Sequence, residues 1–168
     1  MRLPRVPPRL LERGEQGRLA VAGVLLALAF PPLPLGPVAL VALIPLLSVL
    51  DLDARPGFRR GFLHGAFFGS VFYLVLLFWL WDLVRFTPLM APTWVLSCLY
   101  LGGLVGLAVG GAHWLRRRTG RSAALFLPFT WLALEKLLQF GDLGFTWGTL
   151  ADTLTDHPLL IQTADLWG

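Results

Sequence analysis

The sequence predicts an all-α, polytopic membrane helical bundle of about five transmembrane helices, opened by an N-terminal proline-broken hairpin. Three observations predict it. Mean hydropathy is +0.69 and 14% of the residues are charged, which is too apolar for an ordinary water-facing surface. Residues 61–81 are 21 consecutive positions without Lys, Arg, Asp or Glu, and as a helix they measure roughly 31 Å, the thickness of a bilayer's hydrocarbon core. The basic residues fall in short clusters between apolar runs, so the net charge of +4 reads as a topology signal rather than a nucleic-acid surface.

Residues 1–18 carry five Arg and two Glu together with Pro4, Pro7 and Pro8, the composition of a basic cytoplasmic arm lying on an anionic membrane face. Residues 19–50 hold no charge but are interrupted by Pro31, Pro32, Pro34 and Pro37. Proline lacks the amide donor and clashes with the preceding turn, so a helical hairpin is expected. Its arms, 19–30 and 38–50, are short, about 18 to 20 Å each. Either the first helix begins earlier, near Leu10, or the pair tilts, thins the bilayer or re-enters.

After a connector with Arg55, Arg59 and Arg60, the run 61–84 forms the central helix. Gly61, Gly65 and Gly69 are spaced by four, as are Gly102, Gly106 and Gly110 in the next apolar stretch. Four-residue spacing collects these positions into ridges where backbones approach closely, so the two helices are expected to pack on each other. The plainer reading is that glycine is common in membrane helices. Arg116, Arg117, Arg118 and Arg121 stop the fourth helix, and residues 122–140 form a fifth. Residues 19–140 are thus the bundle, and 141–168 an extracytoplasmic loop with the start of a further, truncated helix. Twelve of the fourteen Lys and Arg residues fall on one face when connectors alternate, which places the N-terminus in the cytoplasm.

Groups capable of chemistry collect at the opposite, outer end. Trp79, Trp81 and Asp82 close the central helix, Arg85 and Trp94 flank the next turn, and Glu135, Lys136, Phe145 and Trp147 follow. The tryptophans read either as an interfacial belt or as the lining of a groove. Glu135, about 20 Å along its helix from Ser122, must face protein or a wet cavity rather than lipid. It marks a groove open to the outer leaflet, pairs with Arg85 or Lys136, or simply reaches the interface. His64, His113 and His157 match no metal-ligand spacing, Ser70 and Ser97 have no identifiable base, and Cys98 in an apolar run is an unreactive thiol. No metal ion, cofactor or nucleic acid is expected.

Several stretches resemble the bacterial apolipoprotein N-acyltransferases. They are Leu28-Ala-Phe-Pro-Pro-Leu running on to Val41-Ala-Leu-Ile-Pro-Leu-Leu47, Gly61-Phe-Leu-His-Gly-Ala-Phe-Phe-Gly with Phe78-Trp-Leu-Trp81, Glu135, Gly144-Phe-Thr-Trp-Gly148, and Pro158-Leu-Leu-Ile-Gln-Thr-Ala-Asp-Leu-Trp-Gly168. Thr146, Leu138 and the run 151–154 depart from that family's pattern. The resemblance implies an inner-membrane protein of lipoprotein maturation, with membrane phospholipid as acyl donor and a diacylglyceryl-modified lipoprotein as acceptor. It also implies a nitrilase-like domain carrying a Glu-Lys-Cys triad, which would follow the last motif or be separately encoded. The sequence in hand stops before that domain, so the expectation is a membrane part, from a shortened or split gene, that transfers no acyl group alone. Trp79, Trp81, Glu135 and Trp147 are expected to line the lipid approach. The competing class is a small non-enzymatic helper or transporter half packing through its glycine ridges.

Overall fold

The computed structural model describes residues 13–33, 35–139, 147–157 and 162. Most of the basic arm, Phe145, Thr146 and all but Gln162 of the last motif lie outside them. The described residues are helical with no strand, in six α-helices joined by 3-10 turns.

Helix α1 (Arg13–Leu28) starts upstream of the uncharged run, so its first turn is polar and Leu19, Ala22, Leu26 and Ala27 form its buried stripe. The second arm of the hairpin is not one helix. It runs as a 3-10 turn (Gly36–Val38), α2 (Ala39–Ala42) and α3 (Ile44–Leu52), broken at Leu43. Pro45 in the first turn of α3 explains the break, because its ring excludes a continuous helix through the preceding turn. At the hairpin turn, a Cβ on Gly36 would fall on the Thr153 carbonyl oxygen and 3.1 Å from His157 Cδ2. Gly36→Ala is therefore expected to lower stability by about 1–3 kcal/mol. Thermal unfolding in detergent checks this, and an unchanged midpoint would show that the turn separates freely from 150–154.

Helix α4 (Phe58–Leu76) and α5 (Met90–Thr119) are the centre of the bundle. They run antiparallel with Gly61 opposite Gly110, Gly65 opposite Gly106 and Gly69 opposite Gly102, each ideal Cβ position lying 3.0 Å from the facing Cα. Gly23 brings α1 onto α4 in the same way, with its Cβ position 2.9 Å from the Phe68 carbonyl oxygen. Phe68 and Phe72 are fully buried between these helices.

The central stretch differs from the single span expected over 61–84. After Leu76 it bends by 55° into a 3-10 segment (Phe78–Arg85). In 3-10 winding, side chains at i and i+3 eclipse, and this sorts the aromatics. Phe78 and Trp81 both meet Trp94, with ring centroids 6.3 and 5.6 Å away, while Trp79 turns to Trp147 at 5.0 Å. Helix α6 (Leu127–Leu138) is likewise shorter than expected, because Pro128 sets its first turn and residues 123–125 form a separate 3-10 turn. That turn is held by Asp51, which accepts from Ser122 Oγ and from Ala123 N.

Among the described residues, α5 is the one helix long and apolar enough to cross a bilayer alone. Helix α4 with its bent continuation passes as a pair.

Candidate functional site

The aromatic end of the bundle holds a cavity of 510 Å³ lined by Phe30, Pro31, Pro32, Leu76, Trp79, Trp147, Gly148 and Asp152. Three segments build it: the proline turn after α1, the bent end of α4, and the loop entering the 3-10 turn Leu150–Leu154. The walls are apolar except for Asp152, whose carboxylate is committed locally, accepting from Thr149 N at 3.1 Å in a capping box. Gly148 has φ +91°, a left-handed conformation that favours glycine, and it turns the chain so that Trp147 covers the cavity beside Trp79. Both indoles remain about half exposed. The size is that of a small-ligand pocket, and the lining suits a hydrocarbon.

Glu135 stands one layer behind. It shares a small adjoining void with Tyr73, Trp131, Trp147, Gly148 and Thr149. Its Oε1 accepts from Trp131 Nε1 at 2.9 Å and from Leu150 N at 2.8 Å. The pairing with Arg85 or Lys136 open at the sequence level is corrected accordingly: Arg85 bonds Asp82 at 2.9 Å on an exposed surface, and Lys136 reaches Gln139 at 3.5 Å. The 3-10 segment that carries Arg85 packs on α4 and α5, and its guanidinium is exposed. The carboxylate thus ties α6 to the loop that carries Trp147. Trp131 was missed in the sequence, although its spacing of four from Glu135 on one helix is the signal that could have found it.

Of the four residues expected to line the lipid approach, the structure brings Trp79 and Trp147 together, sets Glu135 behind them and turns Trp81 toward Trp94.

The opposite end is polar. Arg60 bridges Glu15 at 3.2 Å and Asp53 at 2.8 Å, and Arg116 donates to the backbone carbonyls of Asp51 and Asp53. His64 and His113 are fully buried there, ring centroids 6.2 Å apart. Linear spacing set the histidines aside at the sequence level. In space, crossing helices supply the proximity, and Asp53 is the third partner.

Comparison with known proteins decides the family. Residues 22–168 match the family model described as the apolipoprotein N-acyltransferase N-terminal domain. The chain belongs to this family. It is 34% identical, over 95% of its length, to an apolipoprotein N-acyltransferase of Gloeobacter violaceus, covering 34% of that protein. Against the apolipoprotein N-acyltransferase of Geobacter metallireducens it is 35% identical over 88% of its length, covering 29% of the relative. The corresponding protein of Chlorobaculum tepidum is 29% identical over 88% of the chain. The chain thus spans about a third of the length of the N-acyltransferases it matches.

Proposed function

We propose that this chain is the membrane part of a phospholipid-dependent apolipoprotein N-acyltransferase, which acylates the N-terminal diacylglyceryl-cysteine in lipoprotein maturation. In this reading it lies in the bacterial inner membrane as a multi-pass bundle of about five spans. The arginine-rich end and the N-terminus face the cytoplasm, and the aromatic cavity faces the outer leaflet. The arginine clusters of residues 55–60 and 116–121 support that orientation. The apolar side chains that α5 and α6 expose, among them Leu96, Leu99, Leu107, Phe129 and Leu132, support a place in the membrane.

The observation that carries the functional reading is the cavity between Trp79 and Trp147. It takes an acyl chain of the donor phospholipid and holds it at the mouth of the path to the nitrilase-like catalytic domain. The role is binding and positioning, because acyl transfer needs an activated nucleophile, and the sequence's single cysteine, Cys98, is buried within α5. Catalysis belongs to the nitrilase-like domain, fused or separately encoded.

The test is acyl transfer by the full-length enzyme in proteoliposomes. Replacing both Trp79 and Trp147 with alanine is expected to raise KM for the phospholipid about tenfold, the scale of one lost aromatic contact pair and its buried area, with kcat less affected. Trp81→Ala, outside the cavity, is expected to change KM little. Unchanged kinetics in the double variant would remove the cavity from the lipid path.

A further inference from the structure

We propose that Asp53, His64 and His113 form a binding site for a divalent transition-metal ion of the zinc class at the arginine-rich end of the bundle. The site is independent of the lipid cavity at the other end. One ligand atom from each of the three residues lies within 4.8 Å of the others. The three come from three different segments: the connector before α4, α4 itself and α5.

The geometry brings buried atoms of metal-ligating type to one point. Both histidines are fully buried, and the Asp53 side chain is 2% exposed. His113 Nδ1 lies 3.2 Å from the Gly57 carbonyl oxygen and 3.5 Å from Gly57 N. Its other ring nitrogen, Nε2, lies 3.7 Å from Asp53 Oδ2. Two atoms of metal-ligating type thus face each other in a buried site, and neither makes a hydrogen bond among the described residues. His113 Nε2 and both ring nitrogens of His64 make no hydrogen bond among the described residues. A metal-binding histidine typically donates its other N–H to a backbone carbonyl, and the Gly57 carbonyl oxygen, 3.2 Å from His113 Nδ1, is placed to accept it.

The spacing also suits a metal. Ligand atoms around a tetrahedral zinc stand roughly 3.3 Å apart, given bonds of 2.0 to 2.1 Å. The 3.7 Å separation of His113 Nε2 and Asp53 Oδ2 is already close to that. A second carboxylate, Glu15, stands 3.6 Å from His64 Nε2, beside the three-residue cluster. Arg60 now lies against Asp53 Oδ2 without a hydrogen bond at its Nε. Its side chain is 20% exposed, so it can yield that oxygen and remain on Glu15. The imidazole and carboxylate donors select zinc-like ions rather than magnesium or calcium. Bound there, the ion would clamp α4, α5 and the connector together.

The test uses the full-length protein in detergent, stripped with a chelator and titrated with Co2+. The expected result is one equivalent bound per chain, with the visible absorption of low-symmetry Co2+, displacement by Zn2+ and a raised thermal midpoint. His64→Gln and His113→Gln are each expected to lose the absorption. Absence of any Co2+ band in the wild-type chain overturns the proposal whatever the variants do, as does an equal band in both variants. The readouts involve no acyl transfer, so they stand or fall separately from the lipid reading.

Discussion

Gly65→Leu is expected to abolish accumulation of folded protein and Gly65→Ala to lower stability by about 1–3 kcal/mol, whereas Gly103→Ala should be neutral or slightly stabilising. A Cβ on Gly65 would stand 2.5 Å from Val109 Cβ and 3.0 Å from Gly106 Cα. The obstructing atoms are a β-branched side chain and backbone, neither of which can swing aside. In the proposed membrane setting there is little hydrophobic force between helices, so close backbone approach is the main contribution to the pairing of α4 with α5. Pushing the helices apart at Gly65 also loosens Gly61 and Gly69 one turn either way. Gly103 is the internal control. It lies on the same helix as the ridge and next to Gly102, yet a Cβ there meets nothing within 4 Å. Alanine at that position gains helix propensity, at most about 1 kcal/mol. Unfolding of the purified variants in detergent distinguishes the two cases. If Gly65→Ala and Gly103→Ala behave alike, close approach is not what holds these helices together.

The same contrast shows what could be read without coordinates. A four-residue glycine repeat is a local property of the chain, visible in each helix separately, and the structure sets the two ridges face to face in antiparallel register. The bend after Leu76 was not visible, because residues 74–81 are uniformly apolar or aromatic and no glycine or proline marks the change of winding. The break at Leu43 is legible through Pro45, which cannot continue a helix from the turn before it. The Asp53, His64 and His113 cluster depends on register. With Gly61 placed opposite Gly110, the two histidines fall within two turns of each other at the arginine-rich end, and nothing in their linear spacing shows it. Glu135 was recognisable as a carboxylate that could not face lipid. Its partners were not recognisable, since one of them is the backbone amide of Leu150.

Glu135→Ala is expected to release the loop that carries Trp147 and with it most of the cavity's binding capacity, while Glu135→Gln should retain both. The distinction follows from the atoms involved. One carboxylate oxygen accepts both the Trp131 indole N–H and the Leu150 amide, and a carboxamide oxygen can accept the same two hydrogens. Alanine leaves both donors without an acceptor, at about 1–3 kcal/mol each. Trp131 is buried, so its N–H cannot turn to water without disturbing the packing against Phe68. Leu150 opens the 3-10 turn that packs on Gly36, so loosening it separates the loop from both α6 and the hairpin turn. In the full-length enzyme, Glu135→Ala should therefore raise KM for phospholipid at least as much as loss of Trp79 and Trp147 together, and should also lower the thermal midpoint. Glu135→Gln should lie near wild type in both measurements. The opposite pattern, with Glu135→Gln stable but as inactive as Glu135→Ala, would mean that the negative charge itself meets the substrate and that anchoring the loop is secondary.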